Sequence, residues 1–131
     1  MTRSRGLSRF LLSWAPAVLW GGVIFFLSSL SDLSAVRGLG INDKVAHFLL
    51  FFVFGVTLAW AARDIGRTGF HLLVVFLGIL YAVTDEWHQS FVPMRQPSVG
   101  DLLADLTGIL VGYLIARGLI RAWQASKDHQ H

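Results

Sequence analysis

No charged residue falls between Arg9 and Asp32, a run of 22 residues. About 20 apolar residues carry a helix across the hydrocarbon core of a bilayer, where every backbone polar group must be bonded internally. Such a run commits its chain to a membrane helix or to a secretion signal. Its apolar part is longer than the roughly 7 to 15 residues of a signal. The small residues in 31–35 resemble a cleavage site, but a retained helix is the expectation.

Three further apolar stretches, 45–62, 68–84 and 99–116, are each slightly short or polar at one end. None alternates as a barrel strand does. With 54% hydrophobic and 15% charged residues and a mean hydropathy of +0.59, the chain reads as all-α, an integral membrane bundle of four transmembrane helices. Helices are expected at about residues 9–30, 44–62, 70–89 and from 98 or 99 to about 120. They form one domain over 9–121, between a basic leader at 1–8 and a polar tail at 122–131. Pro16 and the Gly21-Gly22 pair are expected to bend the first helix, which membrane neighbours tolerate.

The net charge is +3. The basic residues form no stripe, so nucleic-acid binding is not expected. They fit the positive-inside rule. Cytoplasmic termini place Arg3, Arg5, Arg9, Arg63, Arg67, Arg117, Arg121 and Lys127 inside, eight of the eleven, and leave Arg37, Lys44 and Arg95 outside. There is no cysteine, which excludes disulfides, thiolate nucleophiles and cysteine-held metals.

Ten polar residues gather at the opposite, outward end of three apolar segments. Asp43, Lys44 and His47 open the second; Asp85, Glu86, His88 and Gln89 close the third; Arg95, Asp101 and Asp105 lead into the fourth. Charged groups at membrane depth are costly, so they face a bundle interior or a wet cavity and tend to carry function. At 100° per residue, Asp101, Asp105, Gly108 and Gly112 lie within about 60° on the fourth helix. One stripe is acidic above and glycine-lined below, and Gly108-x-x-x-Gly112 permits close helix packing. Asp105 lies about 18 Å of helix from Arg117, below the surface of a roughly 30 Å core. Asp85 and Gln89, Glu86 and Gln89, and Lys44 and His47 share faces in the same way.

Two readings of these residues stand side by side. Acids at a helix start favour its dipole, Lys44 can snorkel, and a hydrogen-bonded network can simply tie the helices together. The other reading is a ligand site, favoured by Asp105 and Glu86, since a bundle has no need of so many buried acids. His71, at the other end of the third helix, is expected to be structural, and His88 a ligand or a rim residue. His129 and His131 are expected to be solvated, and Ser28 and Ser29 to pack between helices, with a place in the pocket lining as the alternative.

The strings Asp43-Lys44-x-x-His47-Phe48, Asp85-Glu86-x-x-Gln89-x-Phe91-x-Pro93-x-Arg95 and Asp101-x-x-x-Asp105-x-x-Gly108-x-x-x-Gly112, with Phe-Leu-Ser-Ser at 26–29, resemble the VanZ-like family over about residues 20–115. That family consists of small polytopic bacterial membrane proteins whose namesake is linked to resistance to the glycopeptide teicoplanin. The resemblance implies that Lys44, His47, Glu86, Gln89, Arg95 and Asp101 are recurring polar positions, and it implies a bacterial cell membrane. Asp105 stands where the family more often has Asn, which makes the pocket more anionic, and Phe51 where Tyr is common.

Three functions are weighed. An enzyme acting on a lipid head group or lipid-linked envelope precursor would use Glu86 or Asp85 as general base with His47 or His88 as acid partner. Lys44 and Arg95 would hold a phosphate, with Gln89 beside them. Asp101 and Asp105 with Glu86 would alternatively hold a divalent cation. A non-catalytic binder of the same ligands would rely on Lys44 and Arg95. A small ion-coupled transporter fits least, because the acids lie at one end and not at the midplane. So small a bundle is also expected to form a homo-oligomer.

Overall fold

A helix in lipid turns apolar side chains outward as well as inward, and the helices of this protein do both. The computed structural model describes residues 2–31 and 38–128, with side chains from residue 6 onward. The expectations for the side chains of Arg3 and Arg5, for Arg37, for most of the 31–35 stretch and for His129 and His131 lie outside those residues. Four helices follow in order, α1 (Thr2–Ser28), α2 (Asp43–Ala61), α3 (Thr68–Gln89) and α4 (Val99–Asp128). Each is long and apolar enough to cross a membrane, and no strand occurs among the described residues. Large apolar side chains such as Leu12, Val18, Leu72, Phe76, Leu114 and Leu119 remain exposed. Acyl chains are the solvent that suits them.

Helix ends differ from the sequence-based expectation in two places. α1 begins at Thr2 and not near residue 9, and it runs unbroken through Pro16. α4 continues to Asp128, well past residue 120. Apolar patterning marks where a helix meets lipid, not where it stops. Neither polar extension contains a proline to end it. At the start of α2, the Asn42 side chain accepts the Lys44 N–H at 2.9 Å and caps the helix.

The central pair is α2 and α4, which approach through glycine. A Cβ on Gly112 would run into the Phe52 carbonyl, and one on Gly108 into the backbone of Phe48 and Phe52. Gly55 offers the reciprocal surface, with the backbone of Ile109 and Tyr113 against it. Such contact maximises dispersion where lipid supplies no hydrophobic drive between helices. α1 and α3 pack around this pair. Trp20 Nε1 donates to the Leu50 carbonyl at 2.8 Å, and the Tyr81 hydroxyl to the Gly21 carbonyl at 2.6 Å. Ile24, Phe51, Phe54, Val74, Ile109 and Tyr113 fill the core.

The helices alternate in direction, which sorts their ends. The C-terminal ends of α1 and α3 meet the N-terminal ends of α2 and α4, and this is where the polar residues gather. At the other, basic end, His71 Nε2 donates to the Ile65 carbonyl at 2.7 Å. A carbonyl can only accept, so Nδ1 of the neutral ring accepts from the Tyr113 hydroxyl at 2.6 Å. His71 thus ties the α2–α3 loop to α4.

Candidate functional site

Short polar side chains at helix ends can reach one another only if the helices are rotated to face inward together. The glycine seam sets that rotation for α2 and α4. It brings His47 Nδ1 to 2.9 Å from Asp105 Oδ1, with both residues buried. One turn toward the surface, Lys44 Nζ donates to Asp101 Oδ1 at 2.9 Å, with the lysine side chain 57% exposed.

α3 supplies Asp85, Glu86 and Gln89, all buried. Asp85 Oδ2 accepts from Ser28 Oγ of α1 at 2.8 Å and from Gln89 Nε2 at 2.9 Å. Glu86 Oε2 accepts the Ser98 N–H at 3.1 Å, which fixes the start of α4 beside α3. His88 is not part of this group. Its ring lies against Phe25, 4.7 Å between centroids, on the α1 flank.

The α3–α4 loop places Arg95 over the cluster. Met94 adopts φ 65, a left-handed turn rare for a residue with a Cβ, and the chain reverses there. Arg95 then reaches α1, donating from Nε to the Leu30 carbonyl at 3.1 Å and from Nη2 to the Leu27 carbonyl at 3.0 Å. The Leu27 carbonyl also accepts the Leu30 N–H at 3.2 Å, and the Leu30 carbonyl lies just beyond the last residue of α1. Lys44 and Arg95, the residues expected to hold a phosphate, are therefore both engaged within the protein.

An inner chamber of about 60 Å³ is lined by Ser28, His47, Asp85, Gln89 and Arg95 over a floor of Ile24 and Phe51. Above it a polar mouth of about 400 Å³ is bounded by Asp43, Gln89, Met94, Arg95, Gln96 and Asp101. Asp43, Gln89 and Arg95 border both. Three carboxylate oxygens, Asp85 Oδ1, Glu86 Oε1 and Asp105 Oδ2, are buried without a hydrogen-bond partner among the described residues. His47, Glu86 and Asp105 each bring a ligand-type atom within 4.8 Å of the others. Asp101, which the sequence grouped with Glu86 and Asp105 for a cation, falls instead in a shallower set with Asp43 and His47.

Sequence reasoning favoured packing for Ser28 over a place in the pocket lining, where the structure puts it, and overlooked the Ser98 amide. The Phe-Leu-Ser-Ser stretch was the one signal for Ser28. A backbone amide leaves no signal in residue identity.

Fold and site together define a polytopic α-helical membrane protein with a polar, acid-rich chamber at one end of its bundle. Residues 13–121 match the VanZ/LLP1 family model, and the chain belongs to that family. It is 27% identical over 93 residues to an uncharacterized protein of the fission yeast Schizosaccharomyces pombe. The match covers 71% of this chain and 57% of the yeast protein, so the chain spans little more than half of that relative's length. No solved structure matches.

Proposed function

We propose that the chamber receives the polar head group of a membrane lipid or lipid-linked envelope precursor, on the exterior or periplasmic face of the cell membrane. One observation carries this reading. An apolar groove of about 290 Å³ between α1 and α2, lined by Trp20, Ile41, Leu49 and Val53, also includes Leu27, Ala46 and Leu50. Those last three residues line the polar chamber too. A ligand with an acyl chain beside a polar head matches a lipid-facing groove that shares its wall with a polar cavity.

The excess of basic residues at the opposite end supports the outward orientation. A fungal relative favours a head group that fungal membranes also contain over a precursor peculiar to bacterial walls. The teicoplanin link of the family's namesake fits such a site, because altered envelope lipids change what an envelope-directed drug meets. Ion transport is less favoured. Below the chamber the described core is apolar, built from Phe51, Phe54, Leu58, Val74 and Ile109.

The test is cross-linking of a photoactivatable phospholipid to the full chain in membranes, with adducts located by mass spectrometry. Adducts should concentrate on Leu49 and Val53, fall several-fold with Ala46→Phe, and persist with Leu114→Phe on the lipid face. Adducts spread evenly over the exposed helices would reject the reading.

A second reading, that the head group is chemically changed, rests on the His47–Asp105 contact. A carboxylate that holds one ring nitrogen orients the other for proton transfer. Asp85 and Glu86 each keep one oxygen without a partner among the described residues, and Glu86 is the better second acid or base because it is the one grouped with His47 and Asp105. Lipid profiles of cells expressing wild type or Glu86→Gln at equal level decide this, since a binder leaves them identical.

A further inference from the structure

Beside the inner chamber, behind its wall at His47, two buried acids each keep an oxygen that no donor satisfies. Asp105 is completely buried and Glu86 is 7% exposed, yet Asp105 Oδ2 and Glu86 Oε1 find no hydrogen-bond donor among the described residues. Uncompensated buried carboxylates cost several kcal/mol each. The nearby cations do not answer this need. Lys44 bonds Asp101 above the chamber, and Arg95 bonds the Leu27 and Leu30 carbonyls. Three helices nonetheless converge to bring ligand-type atoms of His47, Glu86 and Asp105 within 4.8 Å of one another.

We propose that His47, Glu86 and Asp105 bind a divalent transition-metal ion, Zn²⁺ or Mn²⁺, behind the part of the chamber wall that His47 forms. The donor set is one imidazole and two carboxylates. Imidazole suits the first-row transition metals, whereas Mg²⁺ and Ca²⁺ prefer sites made wholly of oxygen. The surrounding contacts have the character of outer-shell support. The Ser98 amide holds the second oxygen of Glu86. The contact between His47 Nδ1 and Asp105 Oδ1 leaves Oδ2 of the carboxylate without a partner and available to the ion. Three protein ligands leave positions open, and His47, which also lines the chamber, joins the site to it. The alternative set of Asp43, His47 and Asp101 is weaker, because Asp43 is exposed and Lys44 already neutralises Asp101. Binding of the ion does not depend on the lipid reading. Its use does rest on it, since an ion with open positions lets an anionic head group enter an anionic chamber.

The test uses the full chain, purified without an affinity tag in detergent, stripped with chelator and titrated with ZnCl₂, MnCl₂ or MgCl₂. Bound metal is read by elemental analysis after gel filtration, and Mn²⁺ also by electron paramagnetic resonance. A single Zn²⁺ or Mn²⁺ should bind per chain, with Mg²⁺ much weaker. Glu86→Gln and Asp105→Asn should each lower affinity at least about tenfold, and Asp64→Asn, at the exposed opposite end, should leave it unchanged. If Asp105→Asn does not fold, judged by circular dichroism and elution volume, His47→Gln takes its place. Absence of Zn²⁺ and Mn²⁺ binding by the wild type overturns the proposal. So does binding that survives both Glu86→Gln and His47→Gln, which would mark an adventitious ion. Metal binding without lipid capture would retire the head-group reading and leave the ion site standing; lipid capture without metal would do the reverse.

Discussion

Arg95 Nε lies 3.1 Å from the Leu30 carbonyl, and the same guanidinium bonds Leu27 through Nη2. A charge that looks like a ligand hook thereby closes the last turn of α1 and fastens it to the α3–α4 loop. The planar fork of arginine can serve two carbonyls at once, and an ammonium is less suited to do so. Arg95→Gln should cost about 1.5–3 kcal/mol, the usual worth of hydrogen bonds to a charged group. Arg95→Lys should cost less, because a single bond can survive. Thermal unfolding in detergent, compared at equal detergent concentration, measures both. Equal stability of wild type and Arg95→Gln would show that α1 is held elsewhere.

The glycine seam gives a sharper steric prediction. A methyl at Gly112 meets the Phe52 backbone, which cannot rotate away as a side chain can. Gly112→Ala and Gly108→Ala should each destabilise by about 1–3 kcal/mol, the range for overpacking. Both should also disturb the site, because the seam sets the facing of His47 and Asp105. Gly22→Ala adds its methyl to open space and should be neutral or slightly stabilising, since Ala is the better helix former. Unfolding curves of the three variants, read with metal titrations of each, test the seam and its link to the site.

Much of this architecture is readable from residue order alone, for a physical reason. In lipid the backbone must be helical, so apolar length gives the four spans, and the helical period gives the shared face of Asp101, Asp105, Gly108 and Gly112. The period does not give the rotation of one helix against another. The pairing of His47 with Asp105, and not with Asp101, is therefore visible only in the fold. Arg95 was opaque for another reason: its partners are carbonyls, which every residue possesses. Ser28 was ambiguous because a hydroxyl between helices serves packing and a carboxylate equally well. The helix ends at Thr2 and Asp128 extend into polar sequence that the apolar pattern does not report.

The Lys44–Asp101 pair is the exposed counterpart of the buried one beneath it. Its lysine is more than half in solvent, where ion pairs contribute about 0–1 kcal/mol and are screened by salt. Lys44→Gln should therefore shift stability by less than about 1 kcal/mol, and by less still at high salt. Loss of a like magnitude at Asp101→Asn, with no further loss in the double variant, would identify the pair as one interaction. A large loss for Lys44→Gln alone would instead mean that Lys44 compensates the acids of the chamber below.

The last prediction separates the two ends of the bundle. At the basic end, the Tyr113 hydroxyl donates to Nδ1 of His71 while Nε2 donates to Ile65. Tyr113→Phe removes the donor and strands a buried ring nitrogen, which should cost about 1–3 kcal/mol. Tyr113 also packs in the core at 2% exposure, and Phe preserves that packing. The loss should therefore appear in stability and in hydrogen exchange of the α2–α3 loop, not in metal affinity or lipid cross-linking. The core of Phe51, Phe54, Val74 and Ile109 separates His71 from the chamber. A Tyr113→Phe protein that folds with wild-type stability but loses metal or lipid binding would mean that the two ends communicate, and that His71 belongs to the functional machinery.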